Sequence, residues 1–277
     1  MNILVTGAGG FVGKQIVNQL ETKEVNLKLV LRKNSDMLIT FSVNHDVVET
    51  DDMFAENKDW WIKVLDDVDL VIHAAWYAEH GKYINSTINM DCLSGTLTLA
   101  SACKTAGVKK FVGIGTCFEY KNSDQKLTEN STLGPISLYA ASKVATFSVL
   151  SQFFSDNKID FSWCRLFYLY GIGEDSRRFV PYLHKTLKAG EEAKITSGNQ
   201  VRDFLDVEVA ADEIVRIALS NKTGAINIAS GIPTTIKEFA EKIADIYGRR
   251  DLLKFGAKKK NLVDPEYVVC LKENNYD

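Results

Sequence analysis

The chain has few residues that could cross-link it or hold a metal. Its five cysteines, Cys92, Cys103, Cys117, Cys164 and Cys270, are odd in number and show neither a CxxC pair nor Cys/His grouping at zinc spacing, and its four histidines are scattered. A disulfide framework and a metal site are therefore not expected, and the chain reads as a reduced, cytosolic protein. It also lacks an excess of one charge. A formal net charge of -3 gives no general attraction to nucleic acid or to an anionic membrane, and the one basic run, Lys258 to Lys260, reads as a solvated turn. No apolar stretch reaches the ~20 residues of a membrane span, and Met1 leads into a strand pattern rather than a signal peptide. There is no internal repeat and no low-complexity linker. What is present is length: 277 residues suffice for one large α/β domain, or for a core domain with a smaller appendage.

Short apolar runs bounded by turn residues alternate with helical stretches through the first two thirds: Ile3 to Thr6, Leu27 to Leu31, Val47 to Thr50, Val68 to His73, Lys110 to Gly115 and Ile159 to Phe167. Runs apolar on both faces fit strands of a parallel sheet covered by helices, so the pattern predicts βαβ units. Met90, Leu93, Leu97 and Ala100 mark one face of a long helix that Gly107 ends. Beyond about Gly171 the pattern loosens. Ser176 to Ala189 is predicted as a helix, "VRDFLDVEVAADEIVRIALS" as a strand running into a helix, "GAINIAS" as a strand and Thr235 to Gly248 as an amphipathic helix. The expected architecture is a Rossmann-type, doubly wound parallel sheet over residues 1–170 with a smaller C-terminal substrate lobe over 171–277, the chain free to cross between them.

The opening stretch, "MNILVTGAGGFVGKQ", puts Gly7, Gly10 and Gly13 between the first strand and a helix whose apolar face includes Phe11, Ile16 and Leu20. A tight turn, a bare backbone near a pyrophosphate and a helix N-terminus aimed at that anion account for these glycines together. The second strand ends in "LVLRKNS". Asp or Glu at that place holds an adenosine ribose, whereas a cation suits the added phosphate of NADP; Arg32, followed by Lys33, favours NADPH over NADH or NAD unless Arg32 is only a surface residue.

"SLYAASK" contains Tyr139 and Lys143, four residues apart and so on one helix face, where an ammonium can stabilise a tyrosinate and lower the phenol pKa from its reference of ~10. Thr116 stands at the end of the strand "KFVGIG", where a hydroxyl can meet a substrate carbonyl or can merely close a turn.

With these motifs on the page the sequence resembles the extended short-chain dehydrogenase/reductases, in particular their nucleotide-sugar epimerase, dehydratase and reductase group. The resemblance runs from Met1 to about Gly248 and rests on "TGAGGFVG", Asp51 and Asp52 after the third strand, "HAAW" at 73 to 76, Asn89, "GTCFEY" at 115 to 120, "YAASK" at 139 to 143, "RLFYLYG" at 165 to 171, "VRDFLDV" at 201 to 207 and "GAINIASG" at 224 to 231. It implies that Thr116, Tyr139 and Lys143 form a catalytic triad. It implies cofactor contacts from Gly7, Gly10, Phe11, Val12, Gly13, Arg32, Asp51, Asp52, Ala74, Ala75, Trp76, Tyr139, Lys143 and Phe167. On the substrate side it implies Thr116, Phe118, Tyr168 and Arg202, the last meeting a diphosphate. A homodimer through the helices Asn89 to Ala106 and Tyr139 to Asn157 is likewise implied.

Departures narrow the chemistry. The 4,6-dehydratases of the group carry an Asp-Glu pair after the catalytic Thr, but Cys117 and Phe118 follow Thr116, so dehydration lacks its acid and base. The reductive epimerases that make GDP-fucose use a Cys and a His where Phe118 and Arg178 stand. Cys117 itself reads as a small buried residue rather than a nucleophile. The expectation is NADPH-dependent reduction of the C4 ketone of a nucleoside-diphosphate 4-keto-6-deoxyhexose, as in the bacterial CDP- or dTDP-4-keto-6-deoxyhexose reductases that feed surface polysaccharides. Two alternatives stand beside it: an NAD-dependent C4 epimerase with the same triad, and a non-catalytic NADPH-sensing regulator. The tail "KKKNLVDPEYVVCLKENNYD" is short for the group, implying a sugar pocket that is more open or is closed by a neighbouring subunit.

Overall fold

Asn2–Thr6 is buried from its second residue onward and keeps no polar face for water. Such a strand is stable only inside a sheet covered on both sides. In a computed structural model of the chain, which describes residues 1–33, 45–259 and 265–272, this strand is β1. It is followed by α1 (Phe11–Leu20), β2 (Asn26–Arg32), β3 (Asp46–Thr50), α2 (Lys58–Val64), β4 (Leu70–His73), α3 (Ile88–Ala106), β5 (Lys110–Thr116), α4 (Leu138–Asp156) and β6 (Asp160–Leu166). Then come β7 (Tyr168–Tyr170), α5 (Phe179–Lys188), β8 (Ala193–Lys194), β9 (Val201–Asp206), α6 (Val207–Ala218), β10 (Gly224–Ile228), β11 (Pro233–Thr235), α7 (Ile236–Tyr247), β12 (Leu253–Lys254) and β13 (Tyr267–Val268). Lys260, the last residue of the basic run, and parts of the tail lie outside the described residues.

Seven strands pair in the order β10-β6-β5-β4-β1-β2-β3, every pairing parallel. From β1 the chain first builds outward through β2 and β3, then returns to β4 on the other side. The carboxyl ends of β1 and β4 therefore frame a crevice at a topological switch point, where open α/β sheets bind ligands. This is the doubly wound, Rossmann-type sheet that the sequence predicts.

Helices cover both faces. Ile16 and Leu20 of α1 and Ile214 and Val215 of α6 share a core with Val5, Leu29 and Ile72. Trp61 of α2, Leu99 of α3 and Leu150 and Phe154 of α4 share the other with Leu4, Val71 and Phe111. α6 and β10 come late in the chain yet belong to this sheet, so the chain crosses out to the lobe and back. The lobe is built from α5 and α7 around Val180, Leu183, Ile243 and Ala244, the short pair β8-β12, and a sheet in which β9 lies between β11 and β13 and also pairs β7.

Two boundaries differ from the sequence reading for local reasons. The strand predicted from Val68 starts at Leu70, because Asp67 takes a left-handed φ of 59° in a turn closed by the Val68 amide donating to the Leu65 carbonyl at 3.1 Å. The helix predicted from Ser176 starts at Phe179, because the Asp175 carboxylate accepts the Arg177 amide at 2.9 Å and ties up the chain just ahead of it. Among the described residues no helix is long and apolar enough to cross a membrane.

Candidate active site

Three loops leaving the carboxyl ends of β1, β4 and β5 meet at the crevice. The first is the glycine turn. Gly7 has φ +69° and a Cβ there would stand 2.6 Å from the Ala75 nitrogen, while a Cβ on Gly13 would collide with the Gly7 carbonyl oxygen. Only glycine lets this backbone fold so tightly against the loop after β4. The Gly10 amide closes the turn on the Gly7 carbonyl at 2.9 Å. α1 then opens with Phe11 and Val12 behind an N-cap, Gly10, that offers no side-chain acceptor, and its first turn holds no acidic residue. Its free amides and positive dipole end thus face the crevice, an arrangement that suits a pyrophosphate.

Ala74 and Ala75 form the opposite wall, the Ala74 amide donating to the Thr6 carbonyl at 3.1 Å. Below them His73 is bonded between the Thr6 and Thr96 hydroxyls at 2.8 and 2.9 Å, and burial pulls its pKa down to about 3, so it is a neutral structural link. Trp76 donates its indole N–H to the Asn89 amide oxygen at 2.8 Å, and Asn89 in turn donates to the carbonyls of Tyr83 and Ser86. Arg32 is exposed at the end of β2, level with Thr50 at the end of β3. Lys33 is paired with Asp51 at 2.7 Å, and Asp52 accepts the Phe54 amide at 3.0 Å.

Thr116, Tyr139 and Lys143 are brought together. Thr116 ends β5 and caps a 3-10 turn, Cys117–Glu119, its Oγ1 accepting the Phe118 amide. Tyr139 sits in the first turn of α4, where Ser137 is the N-cap. Its hydroxyl hydrogen-bonds the Thr116 side chain, and its ring lies edge-on to Tyr83 at 4.9 Å and to Trp76 at 6.5 Å. Lys143, one turn on, donates to the Ile114 carbonyl at 2.7 Å and lies 3.7 Å over the Trp76 ring.

The electrostatics correct one expectation. Burial, with Tyr83 adding to it, holds the Tyr139 phenol well above its ordinary range, the Thr116 hydrogen bond pulling the other way. The expected acidification by Lys143 is not met in this structure, because the ammonium is turned to the Ile114 carbonyl and the Trp76 face. Burial lowers Lys143 to about 7, opposed by the charge of Glu119.

Of the residues expected to meet substrate, Phe118 meets Tyr168 edge-on at 6.0 Å, and the Arg202 guanidinium lies 5.0 Å from the Tyr168 ring. Arg202 is 1 % exposed; it donates to the carbonyls of Val201 at 2.9 Å and Pro265 at 2.6 Å. It is therefore a buried strap between β9 and the C-terminal segment, not an exposed strand residue. Phe167 packs with Cys117, Tyr120 and Ala229. Cys117 is buried and its thiol is pushed up to about 12 by that burial, the inert residue that the sequence reading expected.

A cavity of about 350 Å³ opens beside the Thr116 turn, lined by Cys117, Phe118, Tyr120, Ile84, Ser137 and Tyr267 among others. Tyr267 belongs to the C-terminal segment, whose β13 pairs with β9, so this segment contributes to the wall of the cavity. Sequence reasoning missed Tyr83, for which no motif speaks. It also missed the buried set Glu119, Trp163 and Arg165; the spacing Thr116-x-x-Glu119, a capping box, was the available signal.

Residues 3–229 match the family described as "Epimerase: NAD dependent epimerase/dehydratase family". The chain is similar to a dTDP-6-deoxy-L-talose 4-dehydrogenase (NAD(+)) of Aggregatibacter actinomycetemcomitans, 24% identical over 247 residues that cover 87% of this chain and 89% of the relative. It is also similar to a UDP-glucose 4-epimerase of Mycolicibacterium smegmatis, 26% identical with coverage of 91% and 84%. Among solved structures, a UDP-N-acetylglucosamine 4-epimerase from Methanobrevibacter ruminantium, in complex with UDP-N-acetylmuramic acid, superposes with a TM-score of 0.84 at 25% identity, covering 97% of this chain and 88% of that one. Glycine turn, switch-point crevice, Tyr-x-x-x-Lys helix and a match over most of the length agree: the chain belongs to the NAD dependent epimerase/dehydratase family, within the extended short-chain dehydrogenase/reductases.

Proposed function

We propose that the protein reduces the C4 ketone of a nucleoside-diphosphate 4-keto-6-deoxyhexose, with NADPH as the preferred reductant. The observation that carries this reading is the hydrogen-bonded pair Thr116 and Tyr139, set at the open end of the sheet between the glycine turn and the cavity. The site fits a dinucleotide: a Cβ would fill the cradle at Gly7 or Gly13, and the α1 amides are left for an anion. When bound, the reduced nicotinamide supplies a hydride to the ketone carbon. Thr116 and Tyr139 donate hydrogen bonds to the ketone oxygen and fix which face of the sugar is presented. As that oxygen gains charge, Tyr139 passes it the phenolic proton, and Lys143, one turn on in the same helix, stabilises the tyrosinate left behind once its ammonium turns from the Ile114 carbonyl.

The absence of carboxylates at positions 117 and 118 argues against dehydration. A talose 4-dehydrogenase among the relatives supports hydride chemistry at C4 of a deoxyhexose. Arg32 at the end of β2 supports the 2′-phosphate of NADPH.

A second reading, a C4 epimerase that retains NAD, is favoured by the 4-epimerases among the relatives and by the Lys33–Asp51 pair, which commits one of the two cations. The two readings separate in one assay. Purified protein is given NADPH or NADH with CDP-, dTDP- and GDP-linked 4-keto-6-deoxy sugars, absorbance at the nicotinamide band is followed, and the C4 configuration of the product is read by NMR. Stoichiometric NADPH oxidation is expected. No oxidation with any of them, together with tightly held NAD in the purified protein, would turn the reading to the epimerase, while oxidation with any keto sugar removes a purely sensory role.

A further inference from the structure

Behind the Thr116 turn lies a fully buried carboxylate to which the proposed reaction assigns nothing. Glu119 is 0% exposed and accepts four hydrogen bonds. The Thr116 amide donates to Oε1 at 2.8 Å; the Trp163 indole reaches both oxygens at 3.0 and 3.1 Å; Arg165 Nε donates to Oε2 at 2.7 Å. Trp163 and Arg165 both belong to β6, the strand beside β5. Arg165 is itself held, Nη1 donating to the Tyr120 hydroxyl at 3.1 Å and to the Glu129 carbonyl at 3.3 Å, and Tyr120 donates on to Asn227 of β10 at 2.7 Å. Gly115 leaves the space: a Cβ there would collide with the Glu119 carboxylate and the Trp163 indole.

Helix capping alone does not call for this. A capping box on an exposed turn is complete with one carboxylate and water, as Thr235 and Glu238 form at the start of α7. A buried ion pair is costly to desolvate and is seldom a source of stability, so its place needs another reason. Geometry supplies one. The carboxylate bridges the amide of the residue bearing the reactive hydroxyl to two side chains rooted in the sheet. Trp163 also carries the link onward, its ring lying 5.6 Å from Lys143 Nζ.

We propose that Glu119 is a positioning residue: anchored by Arg165 and Trp163, it fixes the backbone of Thr116 and sets a buried negative charge facing Lys143. The other titratable groups whose charge reaches Lys143 are Cys92 of α3 and neutral His73 of β4; Tyr139 lies one turn back on its own helix, and Arg165 is bonded to the carboxylate. This rests on the reading of Thr116, Tyr139 and Lys143 as the reacting groups.

The test is Glu119→Gln with Glu119→Asp beside it. The first keeps the shape and loses the charge; the second keeps the charge and shortens the reach. In 13Cε-lysine-labelled protein without substrate, with Lys143 assigned by Lys143→Arg, E119Q is expected to move the Lys143 titration down by at least about half a pH unit, and E119D to leave it near the wild-type value. With a turned-over substrate, E119Q is expected to lower kcat by roughly 100-fold with KM changed little, and to move the alkaline limb of the kcat profile to lower pH, since an ammonium of lower pKa is lost earlier. E119D is expected to lower kcat by about tenfold with that limb in place. A Lys143 titration unchanged in E119Q, or kcat unchanged in either variant, overturns the proposal. Should E119Q fail to fold, E119D decides it alone: unchanged kcat overturns, a selective kcat loss supports. Absence of any nucleotide-sugar turnover in the wild type would instead sink the reaction, and the Lys143 titration would still decide the role of Glu119.

Discussion

Tyr139, Lys143 and Thr116 were legible as residues because spacing carries their meaning: i, i+4 on a helix, and a hydroxyl at a strand end. Their ionisation was not legible. It depends on burial and on where the Lys143 ammonium points, which no local pattern encodes. Tyr139→Phe keeps the ring against Tyr83 and Trp76 and removes only the proton donor. It is expected to cost about 10²–10⁴-fold in kcat with dinucleotide affinity, measured by fluorescence quenching, changed little; unaltered turnover would refute the mechanism. Arg32→Ala is expected to weaken NADPH by roughly tenfold or more and NADH hardly at all, in a titration of both; equal losses would assign Arg32 to the surface. Arg202 shows what a motif leaves out. Its position in "VRDFLDV" spoke for a phosphate ligand; the fold adds that the side chain is buried and donates to two main-chain carbonyls, one of them sixty-three residues away.

At the scale of elements the sequence was informative wherever a single segment sets its own conformation. Each strand of the seven-stranded sheet was found within about two residues, since buried apolar runs between turn residues have few other solutions, whereas the short strands β7, β8, β11, β12 and β13 were not. The glycine turn between β1 and α1 was equally clear. Gly13→Ala puts a methyl group against the Gly7 carbonyl oxygen and is expected to destabilise the protein by about 2 kcal/mol or more and to abolish dinucleotide binding, checked by thermal unfolding with and without dinucleotide. A stable, binding-competent variant would mean that the turn is looser than its packing implies. What the pattern left open was partnership. "GAINIAS" was legible as a strand, but nothing in it says that β10 pairs with β6 at the edge of the main sheet rather than inside the lobe.

For the whole molecule, two features reach beyond any one element. α3 and α4 pack side by side on one face of the sheet, and each keeps a large apolar residue in water, Met90 at 53% and Val149 at 49% exposure. We expect a homodimer through these helices, and Met90→Glu with Val149→Glu is expected to convert it to monomer in sedimentation velocity without changing the melting temperature of the monomer appreciably; a wild-type monomer would dismiss the interface. The second feature is the tail. The sequence reading left the sugar pocket either more open or closed by a neighbouring subunit; β13 lies along β9, and Tyr267 is among the residues that line the cavity. By itself the sequence determined the period of its elements, the glycine cradle and the Tyr139–Lys143 spacing, all properties of neighbours along the chain. Only the tertiary structure decided that Glu119 meets Arg165 forty-six residues on, that Arg202 bonds the Pro265 carbonyl and that Tyr267 lines the cavity, because burial and long-range pairing arise from the packing of segments that carry no local record of one another.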